Sequence, residues 1–493
     1  MQGMRLYNSL TRTLEEFKPI RPPHVGIYTC GPTVYDYVTI GNWRTYTLGD
    51  LVVRTLTYLG FEPEYVMNIT DVGHLTGDNL GDADTGEDRM EQAARSTGKT
   101  AWDVAAFYTA DFFKGYDALQ LVKPKVWCKA TDHIAEQIAL IQKIEKQGIT
   151  YRIDDGLYFD TQVYERAGHH YGTLSTLDSI KAGARVETNK QKKNSKDFAL
   201  WKFSPSVAPA RGGRAGQARR QMEWKSPWGI GFPGWHIECS AMSLKYLGEQ
   251  FDIHIGGEDL RSTHHPNEIA QAEAATGKEP FVKYWLHGAF LQVDGGRMGK
   301  SLGNAYTLQD IMAKDYSPMA LRYFYLTGHY RKPLNFTWDG LAAAKTALTN
   351  LTTMVVRFKD EQDRVMLSEE KLIKVQAFQK QYREALEDDL NLPQTLSLLW
   401  AVIKSNIPNR DKYDLLLNFD QVWGLGLSQA TAPMETIDLK ALDPKVQALI
   451  QDREKLRAAG DFEVADKLRQ EIMAQGWQIE DTAAGVIIKK RVS

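Results

Sequence analysis

The sequence predicts an α/β protein: a parallel-sheet domain of Rossmann type broken by a connective insertion, then a helical bundle and a small C-terminal α+β unit. Three observations predict it. The first hundred residues read as strand, helix and strand; apolar segments with helices between them return from Trp224 to Leu302; and beyond Tyr306 the apolar spacing is almost wholly helical.

Val25–Cys30 reads as a short apolar strand and Gly31–Asn42 as a loop. Leu48, Leu51, Val52, Leu56 and Leu59 then recur at helical spacing until Gly60 supplies a stop. Glu64–Ile69 is the next strand. A helix joining two short strands is a βαβ unit, the mark of a parallel, nucleotide-binding sheet, and residues 1–89 form its first half. Helical patterning dominates from about Met90 to Gly148, with Asp132-His133-Ile134-Ala135-Glu136 opening an amphipathic helix, and Asp155-Gly156 between alternating apolar residues signals a hairpin. Residues 90–222 therefore read as an insertion. Its end, Lys181–Arg220, holds eleven Lys or Arg against two acids and the run Ala210-Arg211-Gly212-Gly213-Arg214. That composition describes a mobile basic arm or a solvated loop with no partner. Residues 223–305 complete the sheet and 306–427 are helical. Ser428–Pro433 reads as a linker. In 439–493, Asp443-Pro444 is a helix cap and first residue, Gly460 a stop, and a second helix to Gly476 precedes a terminal hairpin.

Length and composition narrow the class. The 493 residues allow about three domains, and 43% hydrophobic residues can fill several cores. A net charge of −2 confines any nucleic-acid surface to a local patch. Three cysteines are too few for a disulfide framework, which fits a reducing cytosol, so a cytoplasmic location is expected. Met1–Thr13 has no apolar core of signal-peptide length, and nowhere do eighteen apolar residues run together; no membrane is expected as a partner.

Two cysteines, a histidine and a glutamate stand in settings that suit one zinc ion. Cys30 ends the first strand, Cys239 closes Gly234-Trp235-His236-Ile237-Glu238-Cys239, and His264 and Glu268 share a helix face at i, i+4 spacing. Thr39-Ile40-Gly41-Asn42 lies where a loop enters a helix, where free N–H groups favour phosphate and Gly41 leaves room for a base or ribose; an ordinary glycine loop is the other reading. Arg297-Met298-Gly299-Lys300-Ser301-Leu302-Gly303-Asn304 can fold two cations over a triphosphate, or be a charged surface turn. Neither is a P-loop. Asp78–Asp88 lacks the calcium-loop pattern, His169-His170 has no spacing that closes a site, and Cys128 reads as a buried or half-buried thiol.

The order of these pieces matches a family. Cys30-Gly31-Pro32-Thr33-Val34-Tyr35-Asp36, Asn68-Ile69-Thr70-Asp71, Pro233-Gly234-Trp235-His236-Ile237-Glu238-Cys239-Ser240-Ala241-Met242, His264-His265-Pro266-Asn267-Glu268-Ile269-Ala270-Gln271, the Lys300 loop and Gly328-His329-Tyr330-Arg331 together resemble cysteinyl-tRNA synthetases of class I, from Tyr7 to about Lys490. The resemblance implies that Cys30, Cys239, His264 and Glu268 hold a catalytic zinc that selects a thiol over an alcohol. It implies that Thr70, Trp235 and His254 line a cysteine pocket, although Trp235 as plain core stays open. Thr39, Gly41, Asn42, Asp259 and Lys300 would bind ATP, with Mg²⁺ assisting, and Thr39, Asn42, Arg297 and Lys300 would act in catalysis. His265, next to a ligand on its helix, is left out. The stem-contacting and anticodon-reading parts would be 306–427 and 439–493, with tRNA(Cys), L-cysteine and ATP as partners of a monomeric enzyme. The family's usual first signature, His-Ile-Gly-His, is here Thr-Ile-Gly-Asn, and Lys-Met-Ser-Lys-Ser is here Arg-Met-Gly-Lys-Ser. These changes bear on rate more than on substrate. The competing readings are a cysteine ligase acting on an amino sugar and a catalytically inactive zinc-containing, tRNA-binding relative.

Overall fold

The strand His24–Thr29 buries Val25, Ile27, Tyr28 and Thr29, so side chains on both of its faces are covered. That is the situation of a central strand in a parallel sheet. In the computed structural model, which describes residues 3–73, 75, 86–175, 189–204, 220–360, 366–431, 434–437, 439–482 and 485–491, it is the middle of five parallel strands. Their order is Val282–Gly288, Phe251–Gly257, His24–Thr29, Glu62–Ile69 and Val126–Lys129. Ile27 pairs with Ile253 on one side and with Tyr65 on the other.

The helix Ile40–Tyr58 joins the central strand to its neighbour and buries Leu48, Val52 and Leu56 in one cluster with Val25, Ile27, Ile253 and Leu286. Gly60, at φ 93°, takes the left-handed turn that ends this segment. The sheet grows outward from His24–Thr29 in both directions, so the loops at the carboxyl ends of its central strands part there and leave a crevice. Cys30, Thr70 and Gly257 lie at those ends.

Val126–Lys129 falls in the stretch that the sequence assigns to the insertion, yet it is the edge strand of the parallel sheet, pairing with Val66–Ile69. Four residues beside long helices give no period-2 signal. The remainder of the insertion forms its own antiparallel sheet, ordered Thr150–Ile153, Gly156–Phe159, Phe198–Phe203, Gly229–Pro233 and Trp224–Ser226. The hairpin read at Asp155-Gly156 is there. Trp224–Pro233, read as the return of the parallel sheet, belongs instead to this second sheet and delivers the chain to the helix Trp235–Leu247. Of the basic arm, 181–188 and 205–219 lie outside the described residues, as do 78–85 of the acidic stretch.

The chain forms two compact units: Met1–Lys345 with Gln376–Ala401 and Phe419–Leu425, and Thr346–Val375 with Val402–Asn418 and Gly426–Ser493. In the second, Asp443 caps the helix Pro444–Ala458, Gly460 and Gly476 turn at positive φ, and Trp477–Thr482 pairs with Gly485–Arg491. Leu442, Val446, Ile450, Ile472, Ile479 and Ile488 form its core. Met434–Ile437 adds a third strand just before the predicted start at 439. No helix among the described residues is long and apolar enough to cross a membrane.

Candidate metal centre and nucleotide site

Cys30 leaves the central strand while Gly31 turns the chain tightly past Asn68, whose carbonyl oxygen would sit 1.7 Å from any Cβ at residue 31. Only glycine fits there, and this close approach aims the Cys30 thiol inward. Cys239 lies one turn into the helix Trp235–Leu247, and His264 opens the helix His264–Thr276 with Glu268 four residues on. One ligand atom from each of Cys30, Cys239, His264 and Glu268 lies within 4.8 Å of every other, and all four residues are buried. The two sulfurs are 3.9 Å apart, Cys30 Sγ is 3.8 Å from Glu268 Oε1, and His264 Nε2 is 3.0 Å from the same oxygen. Four ligands about 2.0–2.3 Å from one tetrahedral ion stand about 3.3–3.8 Å apart. The spacing fits.

The surroundings fix each donor. His254 donates through Nε2 to Glu268 Oε2 at 2.9 Å, which leaves Oε1 toward the sulfur and His264. His236 meets His264 Nδ1 at 2.9 Å and so turns Nε2 to the cluster, the usual device for orienting a metal-bound imidazole. The charges follow. The hydrogen bond from Cys30 draws the Cys239 thiol down to about 6 against the pull of burial, while burial pushes Cys30 well up. Burial opposes ionisation of Glu268, but His254 and His264 outweigh it and hold the carboxyl at about 2. Burial likewise opposes a charge on His264; Glu268 and Cys239 win and raise it to about 10. A thiolate and a carboxylate thus share a proton on His264, where a cation would relieve both.

A second set of four, Cys30, His254, His265 and Glu268, overlaps the first. His265, left out on the sequence, is part of the cluster: its Nε2 is 3.6 Å from Cys30 Sγ and its Nδ1 bonds His287 at 2.8 Å. The first set differs in that Cys30, Cys239 and His264 line a cavity, whereas His254 and His265 do not. An accessible face is what a catalytic ion needs.

That cavity also receives Thr70, Trp235, Thr39, Asn42, Asp259 and Lys300. Thr70 donates to the buried Glu238 at 3.2 Å and accepts from Asn68 at 3.0 Å. The Trp235 ring lies 4.4 Å from His264, half-buried at the cavity wall. His254, expected in the pocket, sits behind Glu268 against Trp285 instead. Thr39 caps the helix Ile40–Tyr58, taking the Asn42 N–H and donating to the Asn42 side chain at 2.7 Å. Gly41 does not line the cavity; the space beside it is filled by Met298, whose sulfur a Cβ would meet at 3.3 Å. The Lys300 loop therefore lies against the start of the helix. Lys300 reaches the cavity and pairs with Asp36 at 2.5 Å, while Arg297 is exposed outside the lining.

Glu238, His236, His265 and Asn68 were missed as site residues. Glu238 and His265 neighbour a quoted ligand and His236 follows Trp235, but helix phase alone does not tell a ligand from its support. His169 was set aside, and the structure brings it within ligand reach of Glu273 and Glu279. Its Nδ1 is 2.5 Å from Glu279 Oε1, the distance of a direct hydrogen bond and shorter than two ligands of one ion allow. Cys128 is buried, and burial raises its thiol.

Comparison with known proteins agrees with this geometry. Residues 16–346 match the family model for the catalytic domain of class I (C) tRNA synthetases. The cysteine–tRNA ligase 1 of Burkholderia lata is 46% identical over 485 residues, covering 98% of this chain and 96% of that protein. The cysteine–tRNA ligase of Treponema denticola is 39% identical over 99% of this chain and 100% of its own length. In fold, the chain resembles the Mycobacterium tuberculosis methionyl-tRNA synthetase solved with methionyl-adenylate, with a TM-score of 0.55 at 13% identity over 86% of this chain and 95% of that one. A parallel-sheet crevice, a buried thiol-rich cluster at its floor and relatives matched from end to end lead to one conclusion: the chain belongs to the cysteine–tRNA ligase family of class I tRNA synthetases.

Proposed function

We propose that this protein charges tRNA(Cys) with L-cysteine at the expense of ATP. One observation carries the reading: Cys30, Cys239 and His264, backed by Glu268, open onto the same cavity that Thr39, Asn42 and Lys300 line. Cys30, Cys239, His264 and Glu268 would hold zinc, which supplies a thiophilic centre preferring a thiolate to an alcohol. The protein side of the site then has three tasks. Thr70 and Trp235 bound the amino acid, and His254 positions Glu268 rather than touching the substrate. Thr39, Asn42 and the N–H groups of the helix start hold the nucleotide phosphates, with Asp259 on the adenosine side and Mg²⁺ accompanying ATP. Lys300 balances charge on the departing pyrophosphate; Arg297 stays at the base of its loop.

The cysteine carboxylate is ionised at neutral pH and needs no general base. Its oxygen forms a bond to the α-phosphorus as the bond to the pyrophosphate oxygen breaks, giving cysteinyl-adenylate. A terminal ribose hydroxyl of the tRNA then attacks the acyl carbon and releases AMP. The helical region after Tyr306 and the unit from Leu439 onward are the natural contacts for tRNA, mixing phosphate binding with stacking on unpaired bases. Relatives matched over the full chain, C-terminal unit included, favour tRNA over an amino sugar as acceptor.

The test is cysteine-dependent exchange of labelled pyrophosphate into ATP by the purified, zinc-loaded protein, followed by charging of tRNA(Cys). Exchange is expected with cysteine and not with serine. Its absence at high enzyme concentration sinks the proposal and leaves the inactive relative.

A further inference from the structure

We propose that Arg89 is a second phosphate-binding cation of the nucleotide site, working beside Lys300; this rests on the ATP-dependent reading above. The charge balance of the cavity motivates it. Thr39 and Asn42 are neutral, Asp36 and Asp259 add negative charge to the lining, and Lys300 is already paired with Asp36. A nucleoside triphosphate brings several more negative charges into this space.

Arg89 lines the same cavity. Its Nη1 donates to the hydroxyl of Tyr35 at 2.6 Å, and its guanidinium carbon lies 5.3 Å from the centre of that ring. The Lys300 ammonium lies 5.1 Å from the centre of the same ring. Tyr35 therefore gathers two cations at one edge of the site. A guanidinium offers a planar fork that matches two phosphate oxygens and stays charged at any working pH.

The backbone under Arg89 is built for placement. Arg89 is the first residue of the helix Arg89–Thr97, and Asp88 caps that helix by accepting from the Glu91 N–H at 2.9 Å. Arg220, stacked over Phe232, closes a buried ion pair on Asp88. Gly73 passes so close that a Cβ would fall within 2.4 Å of the Asp88 carboxylate atoms. These contacts fix the helix start, and with it the root of the Arg89 side chain.

Arg89→Ala and Arg89→Lys test the assignment, using calorimetric titration of Mg²⁺-ATP and of pyrophosphate together with the exchange assay. Arg89→Ala is expected to weaken ATP and pyrophosphate at least about tenfold, the usual scale for a lost charge-assisted hydrogen bond. The KM for cysteine, the metal content and the melting temperature should stay as in the wild type, and Arg89→Lys should recover part of the affinity. ATP affinity within twofold of the wild type in Arg89→Ala overturns the proposal. So does a parallel rise in the cysteine KM with a lower melting temperature, which marks a structural role. Titration needs no turnover, so the two readings separate. A wild type that binds ATP without exchange sinks the ligase and not Arg89; an Arg89→Ala variant that exchanges normally sinks Arg89 and not the ligase.

Discussion

The buried cluster of Cys30, Cys239, His264 and Glu268 and the Lys300 end of the cavity are built on opposite terms. Glu268 and His254 are fully buried, and Glu268 takes hydrogen bonds from His254 on one oxygen and His264 on the other. Asp36 and Lys300 are about half exposed and hold each other by a single ion pair. In a dry interior a missing partner leaves a charge that nothing solvates, so every donor must be answered. At the solvent edge a pair couples weakly and can exchange one anion for another. On the proposed reading the comparison teaches which end would recognise and which would turn over: the amino acid would meet a fixed frame, and the nucleotide cations that can change partners.

The largest effect should come from breaking the frame. Glu268→Ala leaves His254 and His264 buried without their carboxylate, which costs about 3–5 kcal/mol of stability by the general scale for a broken buried pair. Metal analysis and thermal melting should show ion and stability lost together, with cysteine activation falling beyond detection. Retention of one zinc per chain would detach Glu268 from the ligand set. Lys300→Ala is the matched cut at the other end. It should slow pyrophosphate exchange about 10²–10³-fold, as for other lost transition-state donors, while zinc content, melting temperature and the cysteine KM stay put. A drop in metal content in this variant would erase the contrast.

A third variant sharpens the comparison by acting on the cluster's helix without touching the cluster. Glu273 lies five residues beyond Glu268 on the same helix, accepts from the Tyr164 hydroxyl and the Phe281 N–H, and burial raises its carboxyl from 4.5 to about 7, with Glu279 adding to the rise. The folded state therefore holds this proton where the unfolded chain has released it, so stability falls as pH rises from about 4.5 to 7. Glu273→Gln should flatten that slope, worth on the order of 3 kcal/mol across the window. Melting curves at a series of pH values check it, with metal content unchanged throughout. An identical slope in the variant would show that Glu273 is ionised in the fold.

Much of this was open to reading in the chain itself. Leu48, Leu51, Val52 and Leu56 announced their helix because 3.6-residue periodicity follows from burial of one face. Asp443-Pro444, Gly460 and Gly476 marked the C-terminal helices because caps and left-handed turns admit few residue types. Val126–Lys129 escaped because a four-residue edge strand is defined by its neighbour rather than its own pattern. Trp224–Ser226 and Gly229–Pro233 join the second sheet because their partners lie in the insertion, and which sheet an apolar strand joins is set by those partners.

At the site, residue type and spacing named Cys30, Cys239, His264 and Glu268, since few other side chains bind a borderline metal and helical spacing ties the last two together. Only the folded chain could put His254 behind Glu268, bring His265 to Cys30, set Met298 against Gly41 and carry Arg89 to Tyr35. Chemistry is a property of the residue and is written in the sequence. Which residue supports, and which one faces the cavity, depends on distances across strands and helices that no local pattern encodes.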